Sequence, residues 1–179
     1  MKISVNISYE KYNPIGFMGS GKTAAGKLIA KKLRMGFIDM DLLIEKITRM
    51  KISDIFRRHG EKHFRRIEGG MLSALSHLSN IVLSTGGGIV KNPWNRGIMR
   101  RMGNVIYLDA TPEAILKRMK KTEIKKRPLL AGSKDLVKTI ADILKPRLKL
   151  YRSCSHRVIE TSGKTLKQVA KEAIRCARK

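Results

Sequence analysis

The sequence predicts an α/β layer fold built around a parallel β-sheet. Short apolar runs alternate with stretches of helical periodicity along the chain, and this alternation indicates repeated strand–helix units. A glycine-rich segment, GFMGSGKT at residues 16–23, stands between the first predicted strand and the first predicted helix. The chain has 179 residues, of which 42% are hydrophobic. It is therefore long enough to bury a core, and we expect one domain spanning residues 1–179.

The first strand is predicted at residues 12–16, because a glycine-rich loop of this kind follows a buried strand. Its sequence is unusual, since Pro14 has no N–H to donate to a neighbouring strand and is disfavoured in the middle of a sheet. Residues 22–34 carry apolar side chains at helical spacing, and Gly36 is expected to end that helix. The next predicted strand is short and ends at Asp39.

The remaining elements follow from the same two periodicities. Residues 61–78 predict a long helix with one apolar face, and the apolar run at 81–84 predicts a strand leading into three glycines. A helix begins near Pro112, because proline suits the first turn of a helix. Residues 120–134 are basic and rich in turn formers, which is typical of a mobile loop. The other predicted helices cover residues 41–49, 53–58, 93–101, 135–151 and 165–177, and the other strands cover 37–39, 105–108 and 156–160.

The chain is strongly basic. Its 39 lysines and arginines outnumber 14 acidic residues, which gives a formal net charge of +25. Such a balance favours polyanions or small anionic substrates. The basic residues are spread along the whole chain, and none of the helix-turn-helix, zinc-finger or RNA-recognition patterns is present. We therefore favour a solvated basic surface, with non-specific attraction to nucleic acid as the expected consequence.

The sequence predicts a cytoplasmic protein without membrane association. No apolar run approaches the roughly 18–20 residues of a membrane span, and residues 1–15 show no apolar core of a signal peptide. Two cysteines, Cys154 and Cys176, are too few for a disulfide framework.

The segment GFMGSGKT fits a phosphate-binding loop, or P-loop, through the spacing of Gly16, Gly21, Lys22 and Thr23. Glycines allow successive backbone N–H groups to turn toward phosphate oxygens, and the following helix points its N-terminus at the same anion. Lys22 is expected to reach the β- and γ-phosphates, and the Thr23 hydroxyl to bind Mg²⁺. A simple glycine-rich helix cap is the alternative, which the in-register lysine and threonine disfavour.

Two aspartates, Asp39 and Asp41, leave the end of the second predicted strand. Ligands of parallel α/β sheets bind at the carboxyl ends of the strands, so one carboxylate is placed to face Mg²⁺ and the other lies further along the rim. The alternative is a pair of ordinary loop aspartates, which loses weight because acidic residues are scarce in this chain.

Two further patterns suggest binding of oxyanions. Arg65 and Glu68 are neighbours on a helix, and an arginine held in this way can present its planar fork to a carboxylate. A surface ion pair explains the same spacing equally well. The triplet Gly86, Gly87 and Gly88 follows an apolar strand and would allow backbone N–H groups to approach an oxyanion closely. A flexible turn is the alternative, and it is less common for three glycines that follow a buried strand.

Two later arginines, Arg127 in RPLL and Arg147 in RLKLY, lie near a turn and on a predicted helix. Arginines that close over a transferring phosphate are common in phosphoryl-transfer enzymes. Each pattern is weak when taken alone.

Together, the segments GFMGSGKT, DMD, GEKHFRRIE, STGGGIV, RPLL and RLKLY resemble the shikimate kinase family in order and spacing. The resemblance covers residues 15–177. It implies ATP-dependent phosphorylation of the 3-hydroxyl of shikimate, in the pathway to chorismate and aromatic amino acids. It also implies the P-loop fold of nucleoside monophosphate kinases: a three-layer α/β/α sandwich with a five-stranded parallel sheet, a helical substrate-binding segment at about 39–68, and a mobile lid at about 119–134. A monomer is the family expectation.

The resemblance further implies roles for the matching residues. Lys22, Asp41 and Arg127 would be catalytic, with Asp41 as the candidate base and Arg127 stabilising charge on the transferring group. Arg65 and Arg147 would hold the shikimate carboxylate. The implied ligands are Thr23 and Asp39 for Mg²⁺; Gly19, Ser20, Gly21, Lys22, Thr23, Ala24, Arg118 and Arg127 for ATP; and Asp41, Phe56, Phe64, Arg65, Gly86, Gly87, Gly88 and Arg147 for shikimate.

Three features depart from the family pattern: the polar first strand, a slightly long segment between Arg118 and Arg127, and the basic excess. They leave two alternatives open. One is a basic nucleic-acid-binding protein on an inactive kinase scaffold, and the other is a kinase for a different small hydroxylated acid.

Overall fold

The structure is a computed structural model that describes residues 11–119, 124, 130 and 132–177. Arg127 and most of the predicted lid at 119–134 lie outside the described residues. What the sequence predicts for them stays a prediction.

The described strands form one five-stranded parallel sheet, which confirms the predicted architecture. The strand order is β2-β3-β1-β4-β5, so the P-loop strand lies at the centre. The strands are β1 Lys11–Ile15, β2 Gly36–Asp39, β3 Ile81–Ser84, β4 Asn104–Asp109 and β5 Arg157–Glu160.

The helices lie close to their predicted positions, with one difference in the substrate-binding segment. The two helices predicted at 53–58 and 61–78 form one run, α3, which is interrupted at Gly60 by non-helical dihedral angles (φ 79°, ψ 169°) and ends at Leu75. No helix among the described residues combines the length and apolar character needed to cross a membrane. The described helices are α1 Lys22–Leu33, α2 Met40–Thr48, α3 Ile52–Leu75, α4 Pro93–Met102, α5 Pro112–Arg118, α6 Leu136–Cys154 and α7 Leu166–Ala177, with a 3₁₀ turn at Ile89–Lys91.

Apolar side chains cover both faces of the sheet, which gives the molecule its three layers. Alternate residues of a strand point to opposite faces. Thus Val82 and Ile106 pack with α1 and α7, whereas Leu83 and Val105 belong to the larger core that includes side chains of α3, α4 and α6.

The polar first strand is a genuine central strand. Residues Lys11–Ile15 are all buried, and β1 pairs with β3 on one side and with β4 on the other. Both amide atoms of Asn13 are buried without a hydrogen-bond partner among the described residues. This strand therefore holds the P-loop at the centre of the sheet in spite of its sequence.

Candidate active site

The P-loop turns tightly between β1 and α1. Gly19 and Gly21 have φ angles of 75° and 97°, in the left-handed region that favours glycine. The loop is closed by a hydrogen bond from the Ser20 N–H to the Phe17 carbonyl at 3.1 Å. Because α1 begins at Lys22, its N-terminal N–H groups point into the loop, as an anion site requires.

Lys22 and Thr23, in the first turn of α1, contact different parts of the site. The Lys22 ammonium donates to the Phe17 carbonyl at 2.9 Å. The Thr23 hydroxyl donates to Oδ2 of Asp39 at 2.9 Å and lies 3.5 Å from the hydroxyl of Ser84. Asp39 is fixed in turn, since its Oδ1 accepts from the Leu42 N–H and caps α2.

A cleft of about 470 Å³ opens over the P-loop. Its far wall contains Arg118, whose guanidinium donates to the Ser20 carbonyl at 3.3 Å and to the Thr161 hydroxyl at 2.9 Å. The arginine is thus tied to the P-loop and to the residue that follows β5. The cleft is lined by the predicted nucleotide residues Gly19, Ser20, Gly21, Lys22, Thr23, Ala24 and Arg118, and also by Asp39, Asp41, Ser84, Thr85, Gly87, Thr161 and Lys164.

Asp41 connects this cleft to the glycine triplet. A Cβ atom at Gly86 would lie 2.7 Å from Oδ1 of Asp41 and 3.0 Å from Oε1 of Glu68. A side chain at position 86 would therefore displace the Asp41 carboxylate and crowd that of Glu68. Since Asp41 also lines the cleft, it stands between the P-loop and the residues around Arg65.

Arg65 is at the centre of a charged cluster on α3. Its Nη1 donates to Oε2 of Glu68 at 2.6 Å, and its Nε and Nη2 both donate to Oε1 of Glu61 at 3.1 Å. Lys91 donates to the same oxygen of Glu61 at 2.8 Å. The predicted pairing of Arg65 with Glu68 is therefore present. It is not a surface ion pair, because the Glu68 side chain is 0% exposed.

Burial raises the pKa of Glu68 to about 7. Arg65 opposes that shift by stabilising the carboxylate, whereas the negative charges of Asp41 and Glu61 add to it. The Oε1 atom of Glu68 is buried without a hydrogen-bond partner among the described residues. Glu68 is a residue whose importance the spacing argument understated, since its sequence position does not reveal burial.

The aromatic residues predicted beside the substrate lie against the Arg65 guanidinium. Its carbon is 5.1 Å from the ring centroid of Phe64 and 5.9 Å from that of Phe56, within cation–π range. Phe64 is almost completely buried, whereas Phe56 is partly exposed. Phe56 thus has more surface available to a ligand.

The glycine triplet and Arg147 complete the inner wall. A Cβ atom at Gly88 would clash with the Arg65 guanidinium. Arg147 is buried on α6, with its guanidinium 5.7 Å from the ring centroid of Phe17 in the P-loop. Residues far apart in sequence therefore meet around the P-loop and the Arg65 guanidinium.

The sequence analysis did not identify the loop after β5 as part of the nucleotide cleft. Thr161 fixes Arg118, and Lys164 lines the cleft, yet neither belongs to a motif singled out from the sequence. The available signal was their position after the carboxyl end of a parallel strand, where ligands bind in such sheets.

The central P-loop, the parallel sheet and the paired aspartates define a P-loop nucleotide-binding protein of the small-kinase type. A family model described as "Shikimate kinase" matches residues 18–178. The chain is 45% identical to the shikimate kinase of Caldanaerobacter subterraneus subsp. tengcongensis over 160 residues, which cover 89% of this chain and 91% of that protein. A shikimate kinase of Enterococcus faecalis is 41% identical over 161 residues, covering 89% and 94% of the two chains.

Solved structures agree with these relatives. The structure titled "Shikimate kinase from Acinetobacter baumannii in complex with shikimate" superimposes with a TM-score of 0.88 at 34% identity, covering 94% of this chain and 93% of that chain. A gluconokinase from Sinorhizobium meliloti, at 15% identity and a TM-score of 0.56, shares the fold alone. The chain belongs to the shikimate kinase family.

Proposed function

We propose that this chain transfers the γ-phosphoryl group of ATP to the 3-hydroxyl of shikimate. The observation that carries the proposal is the position of Asp41. It lines the P-loop cleft and at the same time lies beside Gly86, on the side where Arg65 and Glu68 are found. A base at that junction can meet both a terminal phosphate and a hydroxylated acid. Family membership supports the choice of substrate.

The nucleotide would bind along the cleft. The loop from Gly19 to Ala24 would surround the phosphates, and Lys22 would exchange its bond to the Phe17 carbonyl for phosphate oxygens. The Arg118 guanidinium, already fixed by Ser20 and Thr161, would present its flat face to the adenine ring.

The residues present fit a magnesium ion bound with the nucleotide. The Thr23 hydroxyl and the Asp39 carboxylate are 2.9 Å apart, and both are oxygen donors of the kind that Mg²⁺ prefers. The described residues contain no cluster of three or more His, Cys, Asp or Glu side chains that would hold a metal alone. Held by Thr23, Asp39 and the nucleotide, the ion would neutralise charge on the phosphates.

Shikimate would lie between Asp41, the glycine triplet and the two arginines. Arg65 uses three N–H groups in bonds to Glu61 and Glu68, and a guanidinium has five. A substrate carboxylate could meet the remaining donors or displace the half-exposed Glu61. Arg147 would supply the second cation, and Phe56 and Phe64 would flank the ring.

In the transfer step, the 3-hydroxyl oxygen forms a bond to the γ-phosphorus while the bond from that phosphorus to the bridging oxygen of ADP breaks. The proton of the hydroxyl passes to Asp41. Lys22 would offset charge on the phosphates, and Arg127, which lies outside the described residues, would do so from the lid. The protein contributes position and electrostatic stabilisation, without a covalent intermediate. We further propose that the enzyme works as a cytoplasmic monomer.

A coupled ADP-release assay with a panel of hydroxylated acids tests the substrate. Shikimate should give turnover well above quinate, gluconate and other acids of similar size. The Lys22→Ala variant should lose transfer while it keeps its circular dichroism spectrum. Preference for a different acid would replace shikimate in the proposal, and full turnover by Lys22→Ala would refute the P-loop assignment.

Asp41→Asn tests the base. We expect kcat to fall by at least ~10²-fold, the low end of the effect of removing a general base. Pre-steady-state phosphoryl transfer measures this step directly. If only the KM for shikimate rises, Asp41 positions the substrate and does not accept its proton.

A further inference from the structure

Tyr151 on α6 lies at a junction of the proposed site that the roles assigned above do not use. The side chain is fully buried, and its ring stacks on Tyr107 with centroids 4.9 Å apart and planes 12° apart. Its hydroxyl donates to the Gly87 carbonyl at 2.5 Å. The Arg147 guanidinium lies close to the same hydroxyl, and its positive charge partly opposes the rise in the pKa of Tyr151.

The Tyr151 hydroxyl therefore links α6, beside Arg147, to the backbone of the glycine triplet. A hydrogen bond in a buried, weakly polar environment is electrostatically stronger than the same bond in water. Burial raises the pKa of the Tyr151 hydroxyl well above its usual range. The phenol therefore stays protonated, so it keeps donating to Gly87 over the physiological range of pH.

The acceptor peptide touches two other parts of the site. A Cβ atom at Gly87 would lie 3.1 Å from the Gly16 carbonyl oxygen and 3.3 Å from the Met18 nitrogen, so this glycine rests directly on the P-loop backbone. The peptide bond is planar, so a fixed Gly87 carbonyl also fixes the direction of the Gly88 N–H. Gly88 in turn lies against the Arg65 guanidinium.

We propose that Tyr151 is a positioning residue for the transfer reaction: its hydroxyl holds the Gly87–Gly88 peptide in one fixed arrangement beside the Arg147 guanidinium. This inference rests on the proposed function, because it assigns these groups to the shikimate side of the site. Without the hydroxyl, the glycine triplet loses its link to α6 beside Arg147. Binding of the substrate would then have to order these groups, at a cost in binding free energy that the native protein avoids.

Tyr107 provides a matched control. It forms the other half of the same ring stack and is equally buried, but its hydroxyl donates to Oδ1 of Asp109 at 2.9 Å, away from the glycine triplet. Tyr151→Phe and Tyr107→Phe each remove one buried hydroxyl and keep the stacked ring. A purely structural role for Tyr151 predicts similar behaviour of the two variants.

The first measurement reads the bond to Gly87 without relying on activity. The chain contains three Gly–Gly peptides, Gly69–Gly70, Gly86–Gly87 and Gly87–Gly88. Cell-free protein labelled with carbonyl-¹³C, ¹⁵N-glycine therefore gives three signals in a carbonyl–amide correlation spectrum. The Gly87 carbonyl, observed through the Gly88 amide, should shift in Tyr151→Phe and stay in place in Tyr107→Phe, with Gly69–Gly70 as the internal reference. An unmoved Gly87 carbonyl in Tyr151→Phe would refute the proposal.

The second measurement separates binding from chemistry. Tyr151→Phe should raise the KM and the calorimetric Kd for shikimate about tenfold, as expected for one lost orienting hydrogen bond. The KM for ATP and the values for Tyr107→Phe should stay near those of the wild type. Equal losses in both variants, or an unchanged shikimate affinity in Tyr151→Phe, would overturn the positioning role. Failure of the wild type itself to bind shikimate would refute the proposed function instead, and the carbonyl shift would still report whether Tyr151 holds Gly87.

Discussion

At the scale of single residues, Glu68 shows how environment decides chemistry. Its carboxylate is buried beside Arg65, and one oxygen has no hydrogen-bond partner among the described residues. Removing a carboxylate from water favours its neutral form, and the single arginine only partly offsets this effect. Glu68 should therefore retain its proton to a higher pH than an ordinary glutamate.

This environment predicts a dependence of stability on pH. The folded-state pKa of Glu68 is raised from 4.5 to about 7, so the folded protein binds more protons than the unfolded chain between these values. The contribution of Glu68 to stability must then fall as pH rises from about 4.5 to about 7 and level off above pH 7. At ~1.4 kcal/mol per pKa unit, the contribution is on the order of 3 kcal/mol.

Urea denaturation at pH 5, 6, 7 and 8 measures the effect. Glu68→Gln has no carboxyl to titrate, so its unfolding free energy should lack this component of the fall. The difference between wild type and variant should change from pH 5 to about pH 7 and then level off. Parallel curves for the two proteins would show that Glu68 ionises with an ordinary pKa.

Arg65 gives a second prediction at this scale. Arg65→Lys keeps the positive charge but loses the planar fork that meets Glu61, Glu68 and a carboxylate ligand. The KM for shikimate should rise roughly 10–100-fold, as expected when a hydrogen bond to a charged group worth ~1.5–3 kcal/mol is lost. Steady-state kinetics measure it, with Arg66→Lys on the exposed face of α3 as the control. A raised KM for ATP with an unchanged KM for shikimate would move Arg65 out of the acid-binding side.

At the scale of elements, β1 is the least expected part of the fold. It is the central strand, yet it contains Pro14 and the buried Asn13. The side-chain amide atoms of Asn13 have no hydrogen-bond partner in the part of the chain that the structure describes. Pairing with β4 runs from Tyr12 to Ile15, whereas pairing with β3 is limited to Lys11 and Tyr12. The pairing of β1 with β3 thus ends close to Pro14, which has no N–H. Neighbouring strands and helices on both faces hold the strand in place.

Replacing Pro14 should therefore stabilise the protein. Pro14→Val restores an N–H to the sheet and places a β-branched residue in a strand, with an expected gain of about 1 kcal/mol in unfolding free energy. The control is Pro93→Ala, since Pro93 lies in the first turn of α4, where a missing N–H costs nothing. Thermal and urea unfolding measure both. A lower melting temperature for Pro14→Val would show that the contacts of the proline ring stabilise the protein more than a restored backbone N–H does.

At the scale of the whole molecule, the net charge of +25 is the dominant property. Exposed charges are screened over roughly 8–10 Å at physiological salt, whereas Lys22 and Arg147 are buried and would touch their ligands directly. Ligand binding by the exposed cations should therefore weaken more with added salt than binding by Lys22 and Arg147.

Raising salt from about 50 to 200 mM should weaken binding of a labelled oligonucleotide by orders of magnitude if several phosphates are contacted. The kcat/KM for shikimate should fall only a few-fold. Fluorescence anisotropy and steady-state kinetics provide the two titrations. Tight oligonucleotide binding that persists at 200 mM and depends on base sequence would instead favour the nucleic-acid-binding alternative.

The sequence by itself determined the order of the elements and the chemistry of the P-loop. Both depend on neighbours along the chain: the spacing of Gly21, Lys22 and Thr23 fixes the loop, and apolar periodicity fixes the helices and strands. Only the tertiary structure decided the burial of Glu68 and the bond from Tyr151 to Gly87, which joins residues 64 positions apart. Packing of α3 and α6 against the sheet creates these environments, and spacing in sequence does not report how deeply a side chain is buried or what lies across the fold.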